Sequence, residues 1–197
     1  MHIERIINSV FTSNTFVLTD GNNPYVWLVD VGDMEPIQKA VGKCRVKGVF
    51  ITHTHYDHIY GINQLVERFP ECVVYTSQQG EEGLFSDKLN FSRYHDAPLI
   101  FQGKHVKVLK NDDEVSLFPC VTLKAIYTPG HDWSCLSYYT DEVIFTGDSY
   151  IPDIKVITSM PKSNKEEAKV SLDKILKLIK TRDVYPGHNE IVKRNSF

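Results

Sequence analysis

Six consecutive residues, His53-Thr-His55-Tyr-Asp57-His58, carry three imidazoles and a carboxylate. Such a density of ligands has to be held at the end of an element that fixes its direction. Val46 to Ile51 reads as a buried strand leading straight into His53. Ile59, Ile62, Leu65, Val66 and Phe69 follow at helical spacing until Pro70 ends the run. In an extended segment alternate side chains share a side, so His53, His55 and Asp57 can face one cleft, and His58 joins them where the helix begins. Three more segments each place a potential ligand directly after a glycine: Thr128-Pro-Gly-His131, Thr146-Gly-Asp148 and Tyr185-Pro-Gly-His188. The set is then His53, His55, Asp57, His58, His131, Asp148 and His188. Imidazole and carboxylate suit Zn, Fe or Mn, whereas a structural zinc site normally recruits cysteine. Seven donors exceed what one tetrahedral ion takes. They suit two ions sharing a bridging carboxylate, an arrangement of hydrolytic chemistry.

The remainder of the chain alternates short strands and helices. Ile3 to Ile7, Phe16 to Leu18 and Tyr25 to Asp30, with the turn residues Asp20 to Pro24, predict a β-meander. Asp33 is placed to cap a short helix containing Pro36, Ile37, Ala40 and Val41. Strands are expected at Cys72 to Thr76, Val106 to Leu109, Glu114 to Leu117, Val121 to Tyr127, Leu136 to Tyr139, Val143 to Phe145 and Asp183 to Tyr185. The Gly- and Ser-containing stretch between Thr76 and Phe101 shows no clear period. Ser163 to Glu166 reads as a capping box ahead of an amphipathic helix with Ala168, Leu172, Ile175, Leu176 and Ile179 on one face. Strand–helix units in each half predict an α/β fold of two packed sheets with helices outside, in a single domain over 1–197.

Composition excludes several classes. A formal charge of -3 argues against a nucleic-acid binder, and no stretch approaches the roughly 20 apolar residues of a membrane helix. Five of the eight histidines lie in the ligand set, and His2, His95 and His105 do not. Cys44, Cys72, Cys120 and Cys135 form no C-x-x-C pair and read as free thiols. The N-terminus lacks the apolar run of a signal peptide, so a cytoplasmic protein is expected. Tyr56, Trp133 and Tyr150 neighbour ligands and either shape a pocket or simply pack. Cys135 reads as a buried strand thiol. Lys162 and Ser163 precede the last helix, as loop and cap or as an anion site.

The ordered residues His53-x-His55-x-Asp57-His58, His131, Asp148 and His188, together with Asp30-Val-Gly32, resemble the metallo-β-lactamase superfamily across almost the whole chain. The resemblance implies a four-layer αβ/βα sandwich of two mixed β-sheets with helices on the outer faces and metals along one sheet edge. It also implies that His53, His55 and His131 hold one ion, that Asp57, His58 and His188 hold the other, and that Asp148 bridges them. This ligand set is similar to that of glyoxalase II, here without the C-terminal helical domain that follows it there. The expected activity is a metal-dependent hydrolase using a metal-bridging hydroxide on a small ester, thioester, lactone or related substrate, with Asp57 also orienting the hydroxide or accepting its proton. Zinc is the first expectation for the two divalent ions, with Fe or Mn as alternatives. Two ions, two carboxylates and a hydroxide leave about one positive charge, which favours an anionic small-molecule substrate. Two other functions share the ligand set: a mononuclear non-haem iron dioxygenase acting on a persulfide, and a non-enzymatic metal-binding or ligand-sensing protein.

Overall fold

The computed structural model describes residues 1–194. Eleven strands among these residues form two sheets. The first contains β1 (His2–Ile7), β2 (Asn14–Thr19), β3 (Tyr25–Val29), β4 (Arg45–Phe50), β5 (Val73–Thr76) and β6 (Val106–Val108), hydrogen-bonded in that order. Its first three strands run antiparallel, as the meander predicts, and β3 to β6 run parallel. The second sheet contains β7 (Glu114–Phe118), β8 (Val121–Tyr127), β9 (Leu136–Tyr139), β10 (Val143–Gly147) and β11 (Asp183–Pro186). It is ordered β11-β10-β9-β8-β7, with only the β10–β11 pair parallel. Both sheets are therefore mixed.

Alternation along the strands builds the layers. On β2 and β3, Phe16, Leu18, Trp27 and Val29 face the second sheet, where they meet Leu117, Leu123, Leu136, Tyr138 and Phe145. Their neighbours Val17, Val26 and Leu28 point the other way, against Ile37 and Val41 of α1 (Met34–Val41) and Ile62 and Leu65 of α3 (Ile62–Arg68). The outer face of the second sheet buries Ile144 and Val184 under Ile175 of α5 (Lys165–Leu178) and Ile179. Helix, sheet, sheet and helix thus stack in four layers, each sheet hydrophobic on both faces because both are covered. The inter-sheet core satisfies its own polar atoms. The Trp27 indole N–H donates to the Leu117 carbonyl at 3.0 Å, and the Tyr138 hydroxyl donates to the Ile51 carbonyl at 2.7 Å.

Several local expectations are corrected. The helical run expected after His58 starts earlier, at Tyr56, and is two pieces, α2 (Tyr56–Ile59) and α3, with the Gly61 N–H between them donating to the Val31 carbonyl outside the helix. Asp33 is the N-cap residue of α1, as expected, but its side chain makes no capping hydrogen bond; its carboxylate accepts from the Ser9 N–H and hydroxyl and from the Tyr60 hydroxyl. The cap of α5 is Asn164, accepting from the Glu166 and Glu167 N–H groups at 2.9 and 3.1 Å. Ser163 turns back to donate to the Met160 carbonyl. The stretch without a clear period contains α4 (Gln78–Leu84), capped by Ser77 and interrupted in its pattern by Gly80 and Gly83. Among the described residues no helix is long and apolar enough to cross a membrane, and all four cysteines are free.

Candidate metal centre

All seven predicted residues meet at one end of the sandwich, each just past the C-terminal end of a strand. His53, His55, Asp57 and His58 follow β4, His131 follows β8, Asp148 follows β10 and His188 follows β11. The loops are shaped for this. A register shift between Phe145 and Gly147 redirects the end of β10 before Asp148. Gly130, at φ 137°, lies against the backbone of Ala168 in α5, so a side chain there would push the helix off the His131 loop. A side chain at Gly187 would enter the space of the Asp148 carboxylate and the His58 ring.

The donor atoms form overlapping clusters: His53, His55 and His131; His53, His58 and Asp148; Asp57, His58 and His188. Within each cluster they lie within 4.8 Å of one another. His131 Nε2 is 3.0 Å from His55 Nδ1. Asp57 Oδ2 is 3.3 Å from His58 Nε2 and 3.2 Å from His188 Nε2. Asp148 Oδ2 stands between the two groups, 3.5 Å from His131 Nε2 and 3.5 Å from His188 Nε2. His53 Nε2, His58 Nε2 and Asp148 Oδ1 are buried without a hydrogen-bond partner. Orphaned polar atoms of this kind are costly unless something satisfies them, and an electron-pair acceptor fits this donor set.

The far side of each imidazole is also held. His58 Nδ1 meets Asp30 Oδ2 at 2.9 Å, and Asp30 in turn accepts from the Thr52 N–H and hydroxyl, both at 2.7 Å. His131 Nδ1 lies 3.1 Å from the Ile157 carbonyl, and His188 Nδ1 lies 3.1 Å from the Phe11 carbonyl. The Thr52 hydroxyl reaches His53 Nδ1 at 3.2 Å, and His55 Nε2 faces Asp132 at 3.6 Å. These partners fix which nitrogen of each ring points inward. Asp30 belongs to the turn that the sequence marks, and it sits there in a left-handed conformation, φ 55°. Replacing it with asparagine should weaken metal retention about 10- to 100-fold, measured by competition with a chromophoric chelator. Unchanged retention in Asp30→Asn would show that the Asp30–His58 contact is purely structural.

Electrostatics separates the rings. Burial, reinforced by the neighbouring His58, His55 and His131, holds His53 neutral with its pKa far below the usual range. Burial would lower His58 too, but Asp57, Asp148 and Asp30 raise it well above. His188, despite its burial, is raised to about 9 by Asp148 and Asp57. Burial pushes the Asp148 carboxyl up, yet His58, His188 and His131 outweigh it and hold it at about 2; Asp57 is driven lower still. Both carboxylates are therefore ionised at neutral pH.

Over the cluster opens a cleft of about 500 Å³, lined in part by Phe11, Tyr56, Phe91, His95 and Ile157. Of the aromatic neighbours flagged in the sequence, Tyr56 lines it, while Trp133 and Tyr150 do not. Trp133 instead stacks under the Lys162 ammonium at 4.2 Å, and Cys135 is buried as expected.

A two-sheet sandwich with a histidine–carboxylate cluster at its strand ends defines a class of metallo-hydrolase fold. The chain belongs to the metallo-β-lactamase superfamily, which it matches over residues 9–188. It is 29% identical over 201 residues to a probable metallo-hydrolase of Streptococcus pyogenes serotype M6, covering 95% of this chain and 84% of that one. The fold is similar to that of the BLEG-1 B3 metallo-β-lactamase, with a TM-score of 0.86, 24% identity, and 98% and 95% of the two chains covered. It is also similar to TTHA1623 in a di-iron-bound form, with a TM-score of 0.80, 20% identity and the same coverage. For ETHE1 from Myxococcus xanthus the TM-score is 0.76 at 22% identity, over 100% and 81% of the chains.

Proposed function

We propose that this protein is a binuclear metal-dependent hydrolase of a small ester, thioester, lactone or related acyl substrate. The observation that carries the reading is the place of Asp148, whose Oδ2 lies 3.5 Å from a histidine of each triad. His53, His55 and His131 would hold one ion, Asp57, His58 and His188 the other, and Asp148 would bridge. Zinc suits this nitrogen- and oxygen-donor set, and Fe or Mn is compatible with it. Two such ions, when bound, supply Lewis acidity toward a carbonyl oxygen and an ionised water near neutral pH.

The chain's own residues do the remaining work. Asp57, kept ionised by His58 and His188, can orient the attacking water and accept a proton from it. The partners behind the rings hold the imidazoles so that no reorganisation is needed during turnover. The charged carboxylates lining the cleft are Asp57 and Asp148, and among the described residues no lysine or arginine lines it. A preference for an anionic substrate would therefore come from the ions themselves. Asp57, His58 and His188 form a second donor cluster that a mononuclear iron dioxygenase does not require, which favours the binuclear reading. A cleft open onto the cluster favours an enzyme over a purely metal-binding protein. The free cysteines suit the reducing cytoplasm.

After metal supplementation, elemental analysis should find close to two first-row transition-metal ions per chain. Hydrolysis of a small thioester should stop on chelation and return with metal. At most one ion per chain would overturn the binuclear reading.

A further inference from the structure

Two walls of the cleft are phenylalanines in a backbone conformation that bulky residues seldom adopt. Phe11 has φ 51°, followed by Thr12 at 55°, and Phe91 has φ 59°. A left-handed conformation at such residues is strained and persists only where its surroundings over-determine it. Both are so held. The Asn8 N–H donates to the Ser13 carbonyl at 2.8 Å, and the Ser9 N–H to Asp33 at 2.7 Å, clamping the turn that carries Phe11. Behind Phe91, the buried Asn90 amide donates to the Gly83 and Leu99 carbonyls and accepts from the Ser92 N–H. The strain earns Phe11 no burial, since the residue remains 67% exposed. A strained turn that presents a large ring to the open cleft calls for an explanation outside the packing of the fold.

The position of these rings supplies one. Phe91 lies 4.9 Å, centroid to centroid, from His55 of one triad. The Phe11 carbonyl holds His188 of the other. Between them Tyr56 and His95 stack at 4.0 Å, and Phe11 meets His95 edge-on at 6.0 Å. The aromatic surface therefore flanks both triads, and among the described residues no lysine or arginine lines the cleft.

We infer that Phe11 and Phe91 are specificity-determining residues that take a flat apolar group of the substrate, an aromatic ring by preference, beside the triads. A second anionic group distant from the scissile bond finds no lysine or arginine among the described residues of these walls and is disfavoured. The inference rests on the proposed hydrolase activity for the acyl nature of the substrate, whereas the preference for a ring belongs to the walls alone.

Two measurements on the metal-loaded full chain test it. The first is the ratio of kcat/KM for phenylacetyl and acetyl thioesters of 3-mercaptopropionate, with the glutaryl thioester of the same thiol as the doubly anionic arm. The second is the affinity for N-benzylacetamide, a neutral ligand without a scissile ester, against N-methylacetamide, by ligand-observed NMR. The phenylacetyl thioester should be favoured about tenfold over acetyl, and glutaryl should be the poorest. Phe11→Ala and Phe91→Ala should each lower the phenylacetyl-to-acetyl ratio and the N-benzylacetamide affinity about five- to tenfold. Phe11→Tyr should retain both, and Phe11→Leu replaces the alanine variant if that does not fold. If neither thioester is cleaved but N-benzylacetamide binding follows the variants, the hydrolase reading fails and the aromatic cleft stands. If thioesters are cleaved with no preference for the ring, or the preference survives both alanine variants, the cleft assignment is wrong and the hydrolase reading stands.

Discussion

Asp148→Ala is expected to reduce occupancy of both metal sites and to lower kcat/KM by at least about a thousandfold, equivalent to about 4 kcal/mol of transition-state stabilisation. The carboxylate lies 3.6 Å from His58 Nε2 through Oδ1 and 3.5 Å from both His131 Nε2 and His188 Nε2 through Oδ2. In the proposed centre, removing it would take a donor from each site at once and would leave two dications without the intervening charge. His188→Ala, by contrast, removes a donor from one triad and should leave close to one ion bound. Metal analysis of the two variants side by side, with Asp148→Asn as a neutral replacement of similar shape, decides the matter. Loss of a single ion in both alanine variants would show that Asp148 serves one site only.

Stripping the metals should cost comparable stability. With free metal at about a thousand times its dissociation constant, linkage adds about 4 kcal/mol to the folded state. For a chain of this size that corresponds to a rise in Tm of about 10 °C. The size of the shift should depend on pH, and its sign follows from His188. In the metal-free protein its pKa is raised to about 9 from an ordinary 6.5. The proton it holds stabilises the metal-free fold fully below pH 6.5, and that contribution is lost as pH rises through 9. Metal needs the neutral ring, so loading expels this proton and affinity strengthens over the same window. Differential scanning fluorimetry with and without metal should therefore give a larger gap at pH 8.5 than at pH 6.5. A gap that shrinks with pH would show that the His188 proton is not the one displaced.

The parts of this protein legible in its sequence are those with a short-range signature. The ligand spacing from His53 to His58 sits between a run of buried strand residues and a helical period, and the three Gly-ligand pairs sit at strand ends. Two packed sheets with helices outside are legible because strand–helix units recur in each half, and the family resemblance supplies the four-layer order. What was not legible depends on residues far apart in the chain. Asp132 opposite His55 and the Ile157 carbonyl behind His131 have no pattern that announces them. Phe11, Phe91 and His95 meet over the cluster only because two unrelated turns bring them there. Left-handed backbone at phenylalanine leaves no mark in composition, since glycine or asparagine is what such a position normally shows. The cap of α5 lies one residue after the serine that the capping-box pattern points to, because Ser163 and Asn164 are both competent and the Met160 carbonyl claims the serine.

The donors are spread from residue 53 to residue 188, and the last of them is tied to the beginning of the chain. The Asn14 N–H donates to the Gly187 carbonyl, and its side-chain amide to the carbonyls of Pro186 and Asn189. During synthesis the His53-to-His58 segment emerges well before the other donors: the first triad waits for His131, and the second waits for His188. The second triad therefore needs a longer loop closure than the first, which places its assembly among the slower, later events. Metal bound there would thus report on a sandwich already closed and would not guide its closing.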